Sequence, residues 1–448
     1  MGQGVLSAHP RTSGTADARR TAALFADAGL DRRGGALYLG EVRLGAIADA
    51  VGTPTYVYHA DVIRRQYRAL DEALAPVPHR IAYAVKANAN LGVLRLLRDL
   101  GAGADIVSGG ELRRALAAGF DPERIVFSGV GKTDAELDAA VQAGIGHIHL
   151  ESAAELEALG RIVARRGRAM RVGIRVNPDV TAETHPYIAT GQGGIKFGVP
   201  FDQALPLARA IGAHPLLRLD TIAMHIGSQL LDARPYREGL ERLLGLLRDM
   251  RAAGIDSIRT LDLGGGLGIR YRDEVPLAPA ALAAVILPLV AGSGLTLVLE
   301  PGRYLVGSAG ILLTEVLSRK HSGGKELVIV DAGMNDLVRP SHYMAFHEIV
   351  ELEAKGRPAG LVDVVGPVCE TGDFLALDRE LPGLERGDRL AVLGAGAYGF
   401  VMASNYNTRP RPAEVIVDGG AWWVARAREP LESLWAGERT ERDDRGRG

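Results

Sequence analysis

Between Ile81 and Glu300 the chain alternates eight times between a short apolar run of strand character and a longer Ala/Leu/Arg-rich stretch of helical character, which constrains the fold more than any other feature. The runs are IAYAV (81–85), ADIVS (104–108), RIVFSG (124–129), HIHLES (147–152), RVGIRVN (171–177), TIAMHIGS (221–228), TLDLGG (260–265) and TLVLEPG (296–302). Near-continuous apolar strands separated by helices predict a parallel sheet covered on its outer face, and eight such units predict closure into a (β/α)8 barrel of the TIM type. Helices are expected over 109–118, with Leu112 and Leu116 on one face, and over 134–144. The apolar run 280–292 is too short to cross a bilayer and contains Pro288, so it reads as a buried helix.

After Gly307 the pattern changes. ILLTEVLS, ELVIVDAG, LVDVVGPVCE and RLAVLG follow one another with turn residues between them and no long helix, which predicts an all-β domain. ALYLGEVRL and TPTYVYH, ahead of the barrel, are strand-like and expected to pair with it. The expected plan is a disordered extension (1–33), N-terminal strands (34–58), the barrel (59–307), a C-terminal β domain (308–436) and a frayed, mixed-charge tail (437–448).

Charge and cysteine content narrow the partners. The 52 basic and 54 acidic residues nearly cancel and form no basic stripe, which argues against nucleic acid or an anionic membrane and for a small metabolite. The single cysteine, Cys369, excludes an intrachain disulfide, a multi-thiolate zinc site and an iron–sulfur cluster. No metal is expected, and the cysteine usage fits a reducing cytoplasm.

In a barrel of this type the reactive groups collect at the carboxyl ends of the strands. Here those ends carry Lys86, Asp105 with Ser108, Ser128, Glu151 with Ser152, Asn177, His225 with Ser228, Gly264 to Gly266, and Glu300 with Arg303. Lys86 is one of only six lysines in a chain whose positive charge is mostly arginine. An amine that can lose its proton forms a Schiff base with an aldehyde, which a guanidinium cannot do. The triple glycine lets backbone N–H groups converge on an anion such as a phosphate. A carboxylate at Glu300 could hold a pyridine nitrogen protonated, and His225 could stack on such a ring. Each feature alone also has a plain structural reading: a solvated lysine, a tight turn, a Glu300–Arg303 salt bridge, a core histidine, a small buried cysteine. Together they describe a pyridoxal phosphate site.

The motifs AYAVKANAN (82–90), HIGSQ (225–229), DLGGGLG (262–268), EPGRYLV (300–306), DAGMNDLVRP (331–340), VGPVCETGD (365–373) and GAGAYGFVMASNYN (394–407) occur in order from about Leu37 to Glu432. NPDVTAETHPYIATG with IKFG (177–198) accompanies them. In these the chain resembles the bacterial diaminopimelate decarboxylases, among the barrel-fold (fold type III, alanine racemase-like) pyridoxal phosphate decarboxylases and racemases. The resemblance implies that Lys86 is the Schiff-base lysine for pyridoxal 5'-phosphate and that His225 stacks on its ring. It implies that Ser228, Gly265, Gly266, Glu300, Pro301, Gly302, Arg303 and Tyr398 hold ring and phosphate. Arg303, Arg339, Tyr343, Glu370 and Tyr398 are then expected around an amino-acid substrate. Cys369, the proposed proton donor, and Glu370 are expected to reach in from the partner of a head-to-tail homodimer.

The implied reaction converts meso-2,6-diaminopimelate to L-lysine and carbon dioxide, the last step of lysine biosynthesis. Its rivals are a related decarboxylase of ornithine, arginine, lysine or carboxynorspermidine, a non-catalytic pyridoxal phosphate-binding protein, and a cofactor-free Schiff-base isomerase. One stretch departs from the family pattern: Ser341-His342-Tyr343-Met344-Ala345-Phe346, where His342, Met344 and Phe346 are atypical. That bears on the distal substrate pocket.

Overall fold

The computed structural model describes residues 14–180 and 196–440. Most of the stretch after Pro178, within NPDVTAETHPYIATG, and the end of the mixed-charge tail lie outside them. The chain divides into two units. One comprises His59–Gly310 with the short segment Gly396–Val401; the other comprises the residues up to Tyr58, Ile311–Ala395, and those from Met402 onward.

The first unit is a closed barrel of eight parallel strands: His79–Ala84, Gly103–Ile106, Ile125–Phe127, His147–Leu150, Met170–Arg175, Leu217–Ala223, Thr260–Asp262 and Thr296–Leu299. Pairing of Leu299 with Ile81 closes it. All eight expected runs are strands, each shorter than its apolar run at the carboxyl end. The residues beyond the last ladder bond, Lys86, Ser128, Glu151, His225 and Glu300 among them, are thus released into the mouth.

Two local expectations are corrected. Gly109–Ala118 and Asp134–Ala143 are helices, but on the first Leu112 and Ala115 are buried while Leu116 is exposed, because only a narrow stripe meets the barrel wall. The apolar run near Pro288 forms the helix Pro279–Val290, which buries Leu282, Ala283, Ile286 and Val290 and leaves its other side to solvent. It is an outer-ring helix rather than a buried one.

The polar strand-end residues split into two kinds. Ser108 and Ser152 are helix caps, accepting from the N–H groups of Glu111 and Glu155. Asn177 accepts from the N–H of Asp179. Asp105, Ser128, Glu151, His225 and Glu300 remain for the site.

The second unit holds a nine-stranded sheet. Its main path runs Phe374–Pro382, Ala359–Val365, Lys325–Val330, Gly310–Ser322, Thr55–His59, Ala413–Asp418, Ala421–Arg426. Of the N-terminal strands, Thr55–His59 sits inside this sheet, whereas Ala36–Leu39 and Val42–Arg43 join Leu30–Arg33 in a separate three-stranded sheet. Leu37, Leu39 and Val42 nevertheless share one apolar cluster with Ile311, Leu313, Val415 and Val417.

The expected disorder over 1–33 is overturned for its described part. Gly14–Ala28 is a helix and Leu30–Arg33 a strand. Leu24, Ala28 and Leu30 are buried in that same cluster, and burying each leucine contributes about 2 kcal/mol. Arg20 is buried too, its Nε donating to Glu348 Oε2 at 2.8 Å. Small and basic residues that look like a solvated tail in isolation are here held by partners more than three hundred positions away.

Candidate active site

The first strand ends in a single tight turn, Val85–Ala87, which carries Lys86 into the mouth. Its Nζ donates to Asp105 Oδ2 at 2.7 Å; Asp105 is fully buried, while the lysine side chain is 39 % exposed. Burial by itself lowers the lysine pKa, but the carboxylates of Asp105 and Glu300 outweigh it and hold the ammonium above the usual lysine range. Lys86 rests as a cation whose proton has an acceptor already in place.

His225 follows the sixth strand. The N–H of Gly265 donates to its Nδ1 at 3.2 Å, so the ring proton sits on Nε2. Burial, then the charges of Arg175 and Lys86, hold its pKa well below the ordinary histidine value, and the ring is neutral. A flat neutral imidazole can stack on a protonated pyridine without charge repulsion.

The glycine run is dictated by close backbone packing. A Cβ would lie 2.5 Å from Met224 O at Gly264, 2.3 Å from Glu300 O at Gly265 and 2.7 Å from Gly227 O at Gly266. Gly264 and Gly266 also have φ of 68° and 116°, which side chains other than glycine's rarely adopt. Strands six, seven and eight can end together only because these positions carry no side chain.

Arg303 donates to Tyr271 Oη at 2.5 Å and to Ser228 Oγ at 3.1 Å, and its guanidinium lies 4.9 Å from the Tyr398 ring centroid. Tyr398 comes from far along the chain. Its N–H donates to Ala87 O at 2.8 Å, and Gly396 is clasped by Gly307 and Asn88 at 3.1 Å each. The segment Gly396–Val401 therefore belongs to the barrel unit although it follows most of the β strands. Pro301 O accepts from the Ala84 N–H, and Gly302 packs against Ala84, Ala87 and Tyr398.

Below the mouth lies a buried polar group. Ser128 Oγ is 3.2 Å from His149 Nδ1 and donates to Glu300 Oε1 at 3.5 Å. A ring nitrogen of His149 and carboxyl oxygens of Asp262 and Glu300 lie within 4.8 Å of one another. Burial, joined by the Asp105 charge, pushes Asp262 and Glu300 above the carboxylate range. Lys132, its side chain completely buried, braces the third and fourth strand ends by donating to Gly129 O, His149 O and Glu155 Oε1 at 2.6–2.8 Å. Glu151 accepts from Gly129, Gly198 and Arg175 at 2.8–3.1 Å. Sequence reasoning assigned no site role to Tyr271, Lys132, His149 or Asp262. Only Asp262 stands within a recognised motif, two residues ahead of the glycine run.

Arg339, Tyr343, Cys369 and Glu370 belong to the other unit. Arg339 is buried, its guanidinium donating to His347 Nε2 at 3.0 Å, while His347 Nδ1 donates to Leu393 O at 2.8 Å. Cys369 is exposed. Its N–H donates to Asn407 Oδ1 at 2.7 Å, and Tyr406 Oη donates to Glu370 Oε2 at 3.1 Å. Of the atypical residues, His342 packs edge-on against Tyr343, Met344 takes a left-handed backbone at φ 52°, and Phe346 lies under the guanidinium of Arg379 at 3.8 Å.

Residues 60–307 match the model of the pyridoxal-dependent decarboxylase, pyridoxal binding domain. The chain is 51 % identical over 402 residues to the diaminopimelate decarboxylase of Pseudomonas aeruginosa, covering 90 % of this chain and 96 % of that protein. It is 49 % identical to that of Vibrio cholerae, with the same coverage. The chain belongs to the diaminopimelate decarboxylase family. Among solved structures, diaminopimelate decarboxylase from Helicobacter pylori complexed with L-lysine superposes with a TM-score of 0.85 at 42 % identity, covering 88 % of this chain and 98 % of that one. The enzyme from M. jannaschii, also with L-lysine, gives 0.87 at 34 %, covering 92 % and 98 %. The barrel-plus-sheet architecture is thus that of the diaminopimelate decarboxylases.

Proposed function

We propose that the protein decarboxylates meso-2,6-diaminopimelate to L-lysine and carbon dioxide with pyridoxal 5'-phosphate as cofactor. The observation that carries the reading is the Lys86–Asp105 ion pair at a barrel mouth that also holds His225, Glu300 and Arg303. The residues fit the group. They offer an amine held by a buried carboxylate, a neutral imidazole, a buried acid, a guanidinium, and a glycine wall with no room for a Cβ.

When bound, pyridoxal phosphate supplies an aldehyde that captures an amine and a ring that accepts the electron pair left as carbon dioxide departs. Asp105 orients the Lys86 amine, which must lose a proton before it can act as a nucleophile. Glu300 holds a proton at the ring nitrogen, and the neutral His225 covers the ring face. Ser228, Gly265, Gly266, Pro301, Gly302, Arg303 and Tyr398 bind the remainder of the group. Cys369 delivers a proton to the carbon that has lost its carboxylate. Arg303, Tyr343 and Tyr398 line the substrate, Glu370 takes its distal ammonium, and Arg339 takes its distal carboxylate.

The reading extends to a homodimer in which Cys369 and Glu370 of each subunit complete the partner's site; the exposure of both on a single chain supports it. An acting thiol needs a reducing compartment, which favours the cytoplasm. No helix among the described residues is long and apolar enough to cross a membrane.

The test is carbon dioxide release by cofactor-loaded protein from meso-diaminopimelate, lysine, ornithine and arginine, beside Lys86→Ala. Release from diaminopimelate alone, lost in the variant, is the expected result. Release from another of these amino acids would instead mean that the pocket around His342 to Phe346 selects a different substrate.

A further inference from the structure

Asp262 ends the seventh strand with its side chain inside the barrel, 1 % exposed. One carboxyl oxygen accepts from the N–H of Gly264 at 2.8 Å. The other, Oδ2, meets no hydrogen-bond donor among the described residues. The Glu300 carboxyl lies beside this acid, with oxygens of the two within 4.8 Å, and a proton on either one links the pair by a hydrogen bond.

The charges around the pair leave that proton as the way to satisfy it. Lys86 is committed to Asp105 at 2.7 Å and Arg175 to Glu151 at 3.1 Å. Asp105 adds a further negative charge from the second strand, and His149, on the fourth, is held neutral chiefly by burial. Ser128, after the third strand, offers Glu300 one long hydrogen bond of 3.5 Å, and His225, after the sixth, spends its Nδ1 on Gly265. Two carboxylates in contact in a low-dielectric interior cannot both ionise, and the pair titrates as a unit. An unpaired carboxylate oxygen buried there is costly, whereas a shared proton turns the contact into a short, charge-assisted hydrogen bond.

We propose that Asp262 is a positioning residue for Glu300: the two buried carboxyls share one proton at neutral pH, so that the pair carries a single negative charge and Glu300 is held oriented for the cofactor ring. The proposal rests on the pyridoxal phosphate reading for its purpose, but not for the existence of the pair. Its structural rival is a water. A cavity of about 20 Å3 inside the barrel, lined by His149 and Asp262 among others, has room for one, and such a water could solvate an ionised Asp262 instead.

Infrared absorption of the purified protein at pH 8, with and without the cofactor, separates the two. A protonated-carboxyl band that disappears in both Asp262→Asn and Glu300→Gln is expected; no band in the wild-type protein, or one untouched by either substitution, overturns the shared proton. Cofactor titration then tests the role. Asp262→Ala should weaken pyridoxal phosphate binding at least tenfold and bring a pH-dependent cofactor absorbance between pH 6 and 9. Asp262→Asn, which keeps a donor toward Glu300, should lose distinctly less, and in the Glu300→Gln background Asp262→Ala should add less than twofold. Equal losses for Ala and Asn, or full additivity with Glu300→Gln, overturn the positioning role. Failure of the wild-type protein to bind the cofactor overturns the role and the cofactor reading together, while the infrared band still reports whether the pair exists.

Discussion

The barrel mouth and the Cys369–Glu370 turn carry the two halves of the proposed chemistry, and they are built on opposite principles. In the mouth the charged groups are held by close, buried partners: Lys86 by Asp105, Arg175 by Glu151 and Arg303 by Tyr271 and Ser228, while the two acids Glu300 and Asp262 lie side by side. At Cys369 and Glu370 the groups are exposed, and each has one hydrogen bond with the Tyr406–Asn407 turn, where Asn407 and Thr408 both take left-handed backbone conformations. The barrel half is pre-organised, its pKa values already displaced by burial and by neighbouring charges. The other half is oriented but still in a watery dielectric, where electrostatic effects are weak. A protein built this way needs the second half to be covered before it can act, which is what the proposed dimer provides.

Substitutions can break or sharpen this contrast. The largest effect is expected from Lys86→Ala, which should leave no measurable carbon dioxide release and abolish the absorbance of a lysine-bound cofactor. Glu300→Gln should follow, lowering kcat by several hundredfold, on the order of the cost of removing one pre-organised electrostatic group. Cys369→Ala should cost on the order of a hundredfold in kcat, the scale of a general acid, while cofactor binding stays unchanged. A shifted cofactor spectrum in that variant would show that the two halves are not separable.

Two further tests concern stability. Arg20→Ala strands Glu348 in a buried position with Arg379 only at 3.8 Å, and about 3 kcal/mol should be lost in urea denaturation with the mouth unaffected. The smallest effect belongs to Glu111, whose carboxyl is pushed up to about 7, first by burial and then, against its hydrogen bond from Val107, by Asp105. The folded protein keeps a proton there that the unfolded chain releases near pH 4.5. The stability this contributes is complete below that pH and is lost as pH rises through about 7. Glu111→Gln should flatten that slope, which denaturation at a series of pH values measures.

Much of the barrel was legible because its evidence is local. Eight apolar runs at helix-length spacing match the count of a closed (β/α)8 barrel, and strand ends follow from strands. The same rule over-selected: Ser108 and Ser152 stand at strand ends as conspicuously as Glu300 does, yet they cap helices, and only the position of the next N–H distinguishes the two uses. The buried floor was not legible at all. His149 sits in an apolar-looking strand, and nothing near Asp262 in the chain announces that Glu300, from the next strand, will share its space.

From residue order alone came the architecture, the lysine proposed for the Schiff base, the glycine run and the family likeness, since each depends on residue type at fixed short spacing. Tertiary structure decided what those residues feel. It ordered Gly14–Ala28 through Leu24 and the Arg20–Glu348 pair, drew Tyr398 into the barrel unit through Ala87, and set Asp262 against Glu300. Burial and charge pairing are properties of neighbours in space, and these neighbours lie tens to hundreds of positions apart in the chain, where no periodicity reaches.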